Sequence, residues 1–282
     1  KYANRLSKNP ENYQKLRKML SPFILRRLKT DKSIIADLPE KMEQIDYVGL
    51  SKKQVVLYRD QVKKLEDIIT NATGIARKGH ILSTITKLKQ ICNHPDQFLG
   101  LSAYNPKESG KFELLQEICE TIYEKRERVL VFTQYKEFTE YLAEFLSEIF
   151  QRNGLVLHGG TPVAKRTEMV ELFNSVKYVP FMVLSVKAAG VGLNLTAANH
   201  VIHFDRWWNP AVENQATDRT YRIGQEKNVM VHKFVSKGTI EERIDEIIKQ
   251  KITLADSIIG SGEQWITEFS NEEIISMMRL ED

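Results

Sequence analysis

Gln215, Asp218, Arg219 and Arg222 recur at i, i+3, i+4 and i+7, the spacing that puts four side chains on one face of a helix. Such a face would carry two guanidiniums, a carboxylate and an amide, and is unsuited to a core. A solvated ladder of ion pairs is the plain alternative. It leaves without a reason the two adjacent tryptophans upstream, in Trp207-Trp208-Asn209-Pro210. Three earlier stretches are small, polar or Gly-rich, and each follows a short apolar run. Thr133-Gln134-Tyr135 follows Phe132, His158-Gly159-Gly160-Thr161-Pro162 follows Leu157, and Ser185-Val186-Lys187-Ala188-Ala189-Gly190-Val191-Gly192-Leu193-Asn194 follows Leu184. Gly159 and Gly160 lack side chains, so backbone N–H groups there can approach a phosphate. Thr161 adds a hydroxyl beside the amino end of a helix starting near Pro162. That chemistry suits a nucleic-acid backbone as well as a nucleotide.

Other chemistries fit less well. Gly190-Val191-Gly192 invites a dinucleotide-binding reading, but the third glycine is absent and the loop follows a late strand. No GxxxxGK[ST] phosphate cradle occurs, since Gly110-Lys111 is followed by Phe112, and no Asp-Glu-x-His string is present to hold Mg²⁺. No metal site is expected. Cys92 and Cys119 are far apart and in no CxxC pairing, so both read as buried thiols. His200 and His203, i and i+3 on a strand, point to opposite faces and read as structural.

The elements that must position these loops follow from periodicity. The apolar runs 129–132, 155–157, 181–184, 201–204 and 229–231 are short and continuous, the pattern of strands covered on both faces of a parallel sheet. Between them lie amphipathic helix patterns carrying Leu115 and Ile122, then Leu142 and Leu146, then Met169 and Phe173. Ligand chemistry in such a sheet belongs at the carboxyl ends of the strands. Before residue 108 the chain reads differently. Two short basic helices are expected over residues 12–28 with a break at Pro22, then a short strand at Ile45 and Tyr47, a helix capped by Ser51, and a helix over residues 81–92. After the sheet comes a helix over residues 238–260 and a more acidic tail. Residues 1–108, 109–237 and 238–282 are thus the expected units.

With 282 residues, 42% of them hydrophobic, the chain can bury a sizeable core, and no window approaches a membrane-spanning apolar run. The net charge of +4 is uneven: residues 1–41 hold 11 Lys/Arg against 4 Asp/Glu. A basic front segment suits a polyanion. A start at Lys1-Tyr2 reads as an intracellular piece of a longer chain.

The string Gln215 to Gln225 resembles motif VI of the Swi/Snf-type ATPases in helicase superfamily two. Residues 183–210 resemble their motif V with the Trp-Asn-Pro element, 128–135 their motif IV, and 157–162 the next family loop. Ser21-Pro22-Phe23-Ile24-Leu25-Arg26-Arg27, Gln90-Ile91-Cys92-Asn93-His94-Pro95 and Gly238-Thr239-Ile240-Glu241-Glu242-Arg243 are similar as well. Tyr221, Ala189 and Arg206 depart from the family pattern, standing where His, Gly and Pro are frequent.

The resemblance implies a fold and a division of labour. The fold would be α/β, a RecA-like parallel sheet with helices on both faces, plus a mostly helical N-terminal protrusion and a C-terminal helical brace. Arg219 and Arg222 would be arginine fingers reaching ATP, with Gln215 and Asp218 positioning the fingers or the nucleotide. Gly190, Gly192, Asn194 and Gln225 would join the nucleotide site, and Thr133, Gly160, Thr161, Lys187 and Trp208 would contact DNA. ATP and Mg²⁺ would be held mainly by a first RecA-like lobe of the same polypeptide, and the isolated chain would be monomeric and hydrolyse no ATP. Double-stranded DNA is the implied partner and no membrane is, with a location in the nucleoid or nucleus. A Rossmann-type nucleotide enzyme and a noncatalytic DNA-binding scaffold are the competing readings.

Overall fold

The computed structural model describes residues 39–189, 192–207, 209–252 and 266–281. The expected basic helices over residues 12–28 and the motif at Ser21 lie outside the described residues, as do Gly190, Trp208 and the end of the helix expected to reach Gly260.

Six parallel strands form one sheet in the order β1-β6-β5-β2-β4-β3: β1 (Lys41–Val48), β2 (Val129–Thr133), β3 (Leu155–Leu157), β4 (Phe181–Ser185), β5 (His200–His203) and β6 (Val229–Ser236). β2 and β4 are buried from end to end, which is why both read as unbroken apolar runs. The five expected strands are all present. β1 is longer than the Ile45–Tyr47 alternation suggested, and it joins this same sheet as an edge, Lys41 opposite Val229 through Val48 opposite Ser236. Pairing between segments about 190 residues apart leaves no mark on local periodicity.

The helices are α1 (Lys52–Ile69), α2 (Gly74–Asn93), α3 (Pro95–Leu99), α4 (Gly110–Glu124), α5 (Thr139–Phe150), α6 (Val163–Asn174), α7 (Val186–Ala189), α8 (Pro210–Thr217), α9 (Ile240–Ile252) and α10 (Asn271–Met278). Ser51 caps α1 as expected, in a reciprocal capping box with Gln54. α2 begins at Gly74, seven residues before the expected start, because its first turns face solvent and carry no apolar stripe.

Two apolar clusters stand out among the described residues, beside the fully buried Leu130, Phe132, Met182, Leu184 and Val201 of the sheet. One lies between the sheet and α4 and α5, centred on Phe112, Leu142, Phe181 and Phe204. The other fills the helical layer of α1, α2, α9 and α10. Gly154, between α5 and β3, sits against the Phe181 ring where a Cβ would collide.

Buried polar groups join the two clusters. Lys111 at the start of α4 and Glu241 at the start of α9 are both fully buried, 2.8 Å apart. Lys111 also donates to Asn93 Oδ1 at 3.0 Å, and Ser236 N donates to the second Glu241 oxygen at 3.0 Å. Burial is the largest cause holding the Cys92 thiol up at about 12, and Cys119 is raised by burial too, as inert core thiols should be.

Candidate functional site at the carboxyl ends of the strands

Asp205, directly after β5 and Phe204, organises the loop after β2. Its buried carboxylate accepts from Thr133 Oγ1 at 2.5 Å, from Gln134 N at 3.0 Å and from Asn93 Nδ2 at 3.3 Å. Burial raises its pKa; the charges of Lys89 and Lys111 and the hydrogen bonds from Thr133 and Gln134 oppose that shift. Thr133 therefore does not stand at a surface. The expected DNA contact through its side chain is corrected: the residue is fully buried and its hydroxyl is committed to Asp205.

The loop after β3 is closed on itself. His158 N donates to Thr161 Oγ1 at 3.1 Å and Thr161 N to His158 O at 3.0 Å. Gly160 N donates to His158 Nδ1 at 3.1 Å, so one of the two glycine N–H groups expected to face a phosphate is turned inwards. Gly159 and Gly160 remain exposed. Arg166 of α6 grips the Thr161 and Gly159 carbonyls at 2.8 and 3.0 Å. The Lys136 ammonium lies beside Gly160, 3.2 Å from where a Cβ would stand. Lys187 is exposed on the short α7 after β4. The carboxyl ends of adjacent strands β2, β4 and β3 thus lead into loops that carry Lys136, Lys187, Gly160 and Thr161, with Arg166 behind them.

Asn209 caps α8 by accepting from Ala211 N at 2.9 Å. The helix stops at Thr217, whose hydroxyl is 2.9 Å from His203 Nε2. The expected four-residue helix face is corrected here: Gln215 lies exposed on α8, but Asp218 caps it and Arg219 and Arg222 follow in tight turns ending at Gly224, φ 97°. The Arg219 carbonyl, which a continuing helix would give to residue 223, accepts instead from Leu195 N at 2.9 Å. Arg222 Nη1 donates in return to Leu193 O at 3.2 Å. The turns still gather charge: burial lowers the Arg219 pKa, the Arg222 guanidinium lowers it further, and Asp218 opposes both.

Gly192 and the Asn194 side chain are exposed on the same strip, with the Asn194 carbonyl held by Asn174 Nδ2 at 2.7 Å. Gln225 is a second correction to the expected nucleotide contacts. It is buried, and its amide donates to the carbonyls of Thr196, Ala198 and Thr220 at 3.1, 2.8 and 3.2 Å, stapling the Leu193 strip to the arginine turn. Tyr221 is also buried, with Lys41 Nζ of β1 5.8 Å from its ring centroid. Among the described residues no three His, Cys, Asp or Glu side chains converge as a metal-ligand group. His200 pairs with Glu127 at 2.7 Å, a structural role like that of His203.

Sequence reasoning missed Asp205, Asn93, Arg206, Lys136 and Arg166 as parts of this end of the sheet. Asp205 and Arg206 carried one signal, a charged pair directly after an apolar strand.

A parallel sheet ordered 1-6-5-2-4-3, with its polar loops at the carboxyl ends, has the layout of a RecA-like lobe and differs from the 3-2-1-4-5-6 order of dinucleotide-binding sheets. The chain matches the SNF2-related domain over residues 2–97 and the Helicase conserved C-terminal domain over residues 110–224. Among solved structures, the Sulfolobus solfataricus SWI2/SNF2 ATPase C-terminal domain is 39% identical with a TM-score of 0.75, covering 86% of this chain and 100% of that one. The chain belongs to the Swi/Snf family of superfamily-two helicase-like ATPases, as its C-terminal lobe. The Sulfolobus ATPase core in complex with double-stranded DNA is 42% identical with a TM-score of 0.79, over 98% of this chain and 58% of that one. A putative ATP-dependent helicase/translocase of Bacillus subtilis is 46% identical over 94% of this chain, which spans 29% of that protein. A human SWI/SNF-related regulator of chromatin, subfamily A member 1, is 35% identical over 94% of this chain and 26% of its own length.

Proposed function

We propose that this chain is the second motor lobe of an ATP-driven translocase on double-stranded DNA, supplying transition-state arginines and part of the DNA track. The observation that carries the reading is the stitching of two loops. Leu195 N to Arg219 O, Arg222 Nη1 to Leu193 O and the Gln225 amide bind the strip after α7, next to Lys187, to the turn holding both arginines. A DNA-side loop and a nucleotide-side loop joined this way suit a motor.

Arg219 and Arg222 act as fingers towards ATP held by another lobe. Guanidinium keeps its charge near neutral pH and offers a planar donor fork to phosphoryl oxygens as charge spreads in the transition state. Asp218, at the end of α8, orients them, and Gln215 faces the nucleotide. Gly190, Gly192 and Asn194 connect the nucleotide side to the DNA side. Gly160, Thr161, Lys187 and Trp208 meet the DNA backbone, and Lys136 and Arg166 join them because both lie at the Gly159–Gly160 turn. Solution of a family relative with double-stranded DNA supports the choice of polymer. The ATP phosphates and Mg²⁺ are gripped by the other lobe, so the isolated chain turns over no ATP.

Arg222→Ala in the intact protein tests this. Turnover should fall roughly 10³-fold or more, the scale of a lost arginine finger, with DNA affinity near wild type. A variant keeping most of its turnover would sink the assignment.

A further inference from the structure

Arg206, where the family frequently has proline, makes contacts that proline could not. Its guanidinium is 3% exposed and is divided between two helices. Nε donates to Glu213 Oε1 of α8 at 3.1 Å, and Nη1 to Asp245 Oδ1 of α9 at 2.6 Å. Both carboxylates are buried, Glu213 1% and Asp245 2% exposed. Glu213 Oε1 also accepts from Trp207 N at 2.8 Å, fixing the backbone beside Arg206 to α8. The Arg206 carbonyl accepts from Lys89 Nζ of α2 at 2.7 Å. The second Asp245 oxygen meets Lys249 Nζ at 2.7 Å and Tyr47 OH at 3.4 Å, and the second Glu213 oxygen lies 3.9 Å from Lys233 Nζ. One side chain thus ties the end of β5, the middle of α8 and α9 together, and α8 runs straight into the arginine turn.

We propose that Arg206 is a positioning residue for the arginine pair: its two-carboxylate clamp sets the axis of α8 and hence the reach of Arg219 and Arg222 towards the nucleotide. This rests on the functional reading above. From Glu213 to the end of α8 at Thr217 is about 6 Å, so a tilt of about 10° at the clamp moves that end about 1 Å. A displacement of that size costs about 10²-fold in a step that depends on alignment. Nucleotide affinity, set by the other lobe, should not move.

The test is DNA-stimulated ATPase of the complete motor, assayed well below the melting temperature of each variant. Arg206→Lys keeps the charge but loses the fork, and one ammonium cannot hold both carboxylates in this geometry. Expected is a fall in kcat of about 10- to 100-fold, with KM for ATP and Kd for DNA within about twofold. Truncation to alanine would strand two buried carboxylates and threaten folding. The second variant therefore combines Arg206→Met, Glu213→Gln and Asp245→Asn, which removes every charge of the clamp. It should recover wild-type Tm without recovering kcat. Full kcat in the lysine variant, or in a triple variant of wild-type Tm, overturns the proposal and makes Arg206 a stability residue only. If the triple variant stays destabilised, the lysine variant decides alone. A wild-type motor without ATPase would instead overturn the reading beneath it.

Discussion

Replacing Glu241 by leucine leaves the Lys111 ammonium, fully buried, with Asn93 Oδ1 as its remaining hydrogen-bond acceptor at 3.0 Å and the Phe204 ring centroid 5.7 Å away. Breaking one side of a buried pair costs about 3–5 kcal/mol, and the Ser236 N–H that Glu241 accepts loses its acceptor at about 1–3 kcal/mol more. Since such terms are not additive, a loss of about 4–6 kcal/mol is expected, a large part of the roughly 5–15 kcal/mol that holds a domain together. Urea unfolding followed by circular dichroism at neutral pH reads this. With a slope of about 3 kcal/mol per M, the midpoint should drop by about 1–2 M. The double variant Lys111→Met with Glu241→Leu removes both charges and should lie only about 1–3 kcal/mol below wild type. A single variant shifted by less than about 1 kcal/mol, or a double variant that falls by the sum of the singles, would refute the idea that this pair is a coupled ionic link between α4 and α9.

Thr133→Val removes the hydroxyl that donates to Asp205 and should cost about 1–3 kcal/mol in the same unfolding assay while leaving DNA affinity unchanged; weakened DNA binding at wild-type stability would restore Thr133 to the DNA surface. Lys187→Ala should lower the slope of log affinity for DNA against log salt by about 1, and an unchanged slope would remove Lys187 from the backbone contacts. Burial first, then the charges of Lys233 and Arg206, hold the His203 imidazole down to about 3. The unfolded chain then binds the extra proton between the ordinary histidine value and that point, so stability is lost as pH falls through this window, by about 1.4 kcal/mol per pH unit for this one group. His203→Gln should flatten the acid side of the stability profile by that slope, and an identical profile would show that the ring is already charged in the fold.

What could be read from the sequence was whatever burial writes into local pattern. β2 and β4 are apolar on both faces, and α4 and α5 carry one apolar stripe each, so a parallel α/β sheet was legible residue by residue. β1 was visible as a strand but not as this sheet's edge, because its partner lies at the far end of the chain. The arginine turn reads as helix in the sequence because charged residues at helical spacing satisfy a pattern without the burial that enforces one, whereas in the fold α8 ends at Thr217 and the Arg219 carbonyl accepts from Leu195 N. Thr133 and Gln225 looked available because small polar residues in loops usually are; both are buried and spend their hydrogen bonds inside the protein. The clamp of Arg206, Glu213 and Asp245 has no signature, since nothing local distinguishes a buried ion pair from a solvated one.

The strand order has a practical meaning for dissecting the molecule. The stretch that matches the Helicase conserved C-terminal domain, residues 110–224, contains β2 to β5 but neither β1 nor β6. Those two strands, one from each side of the matched stretch, cover the outer side of β5. Cutting the chain to the matched residues would bare the β5 backbone along Val201 and Ile202, both fully buried, as an unpaired apolar margin of the kind on which sheets from different molecules join. A fragment of residues 110–224 is therefore expected to associate through this edge unless it keeps β1 and β6, which lie on opposite sides of it in sequence.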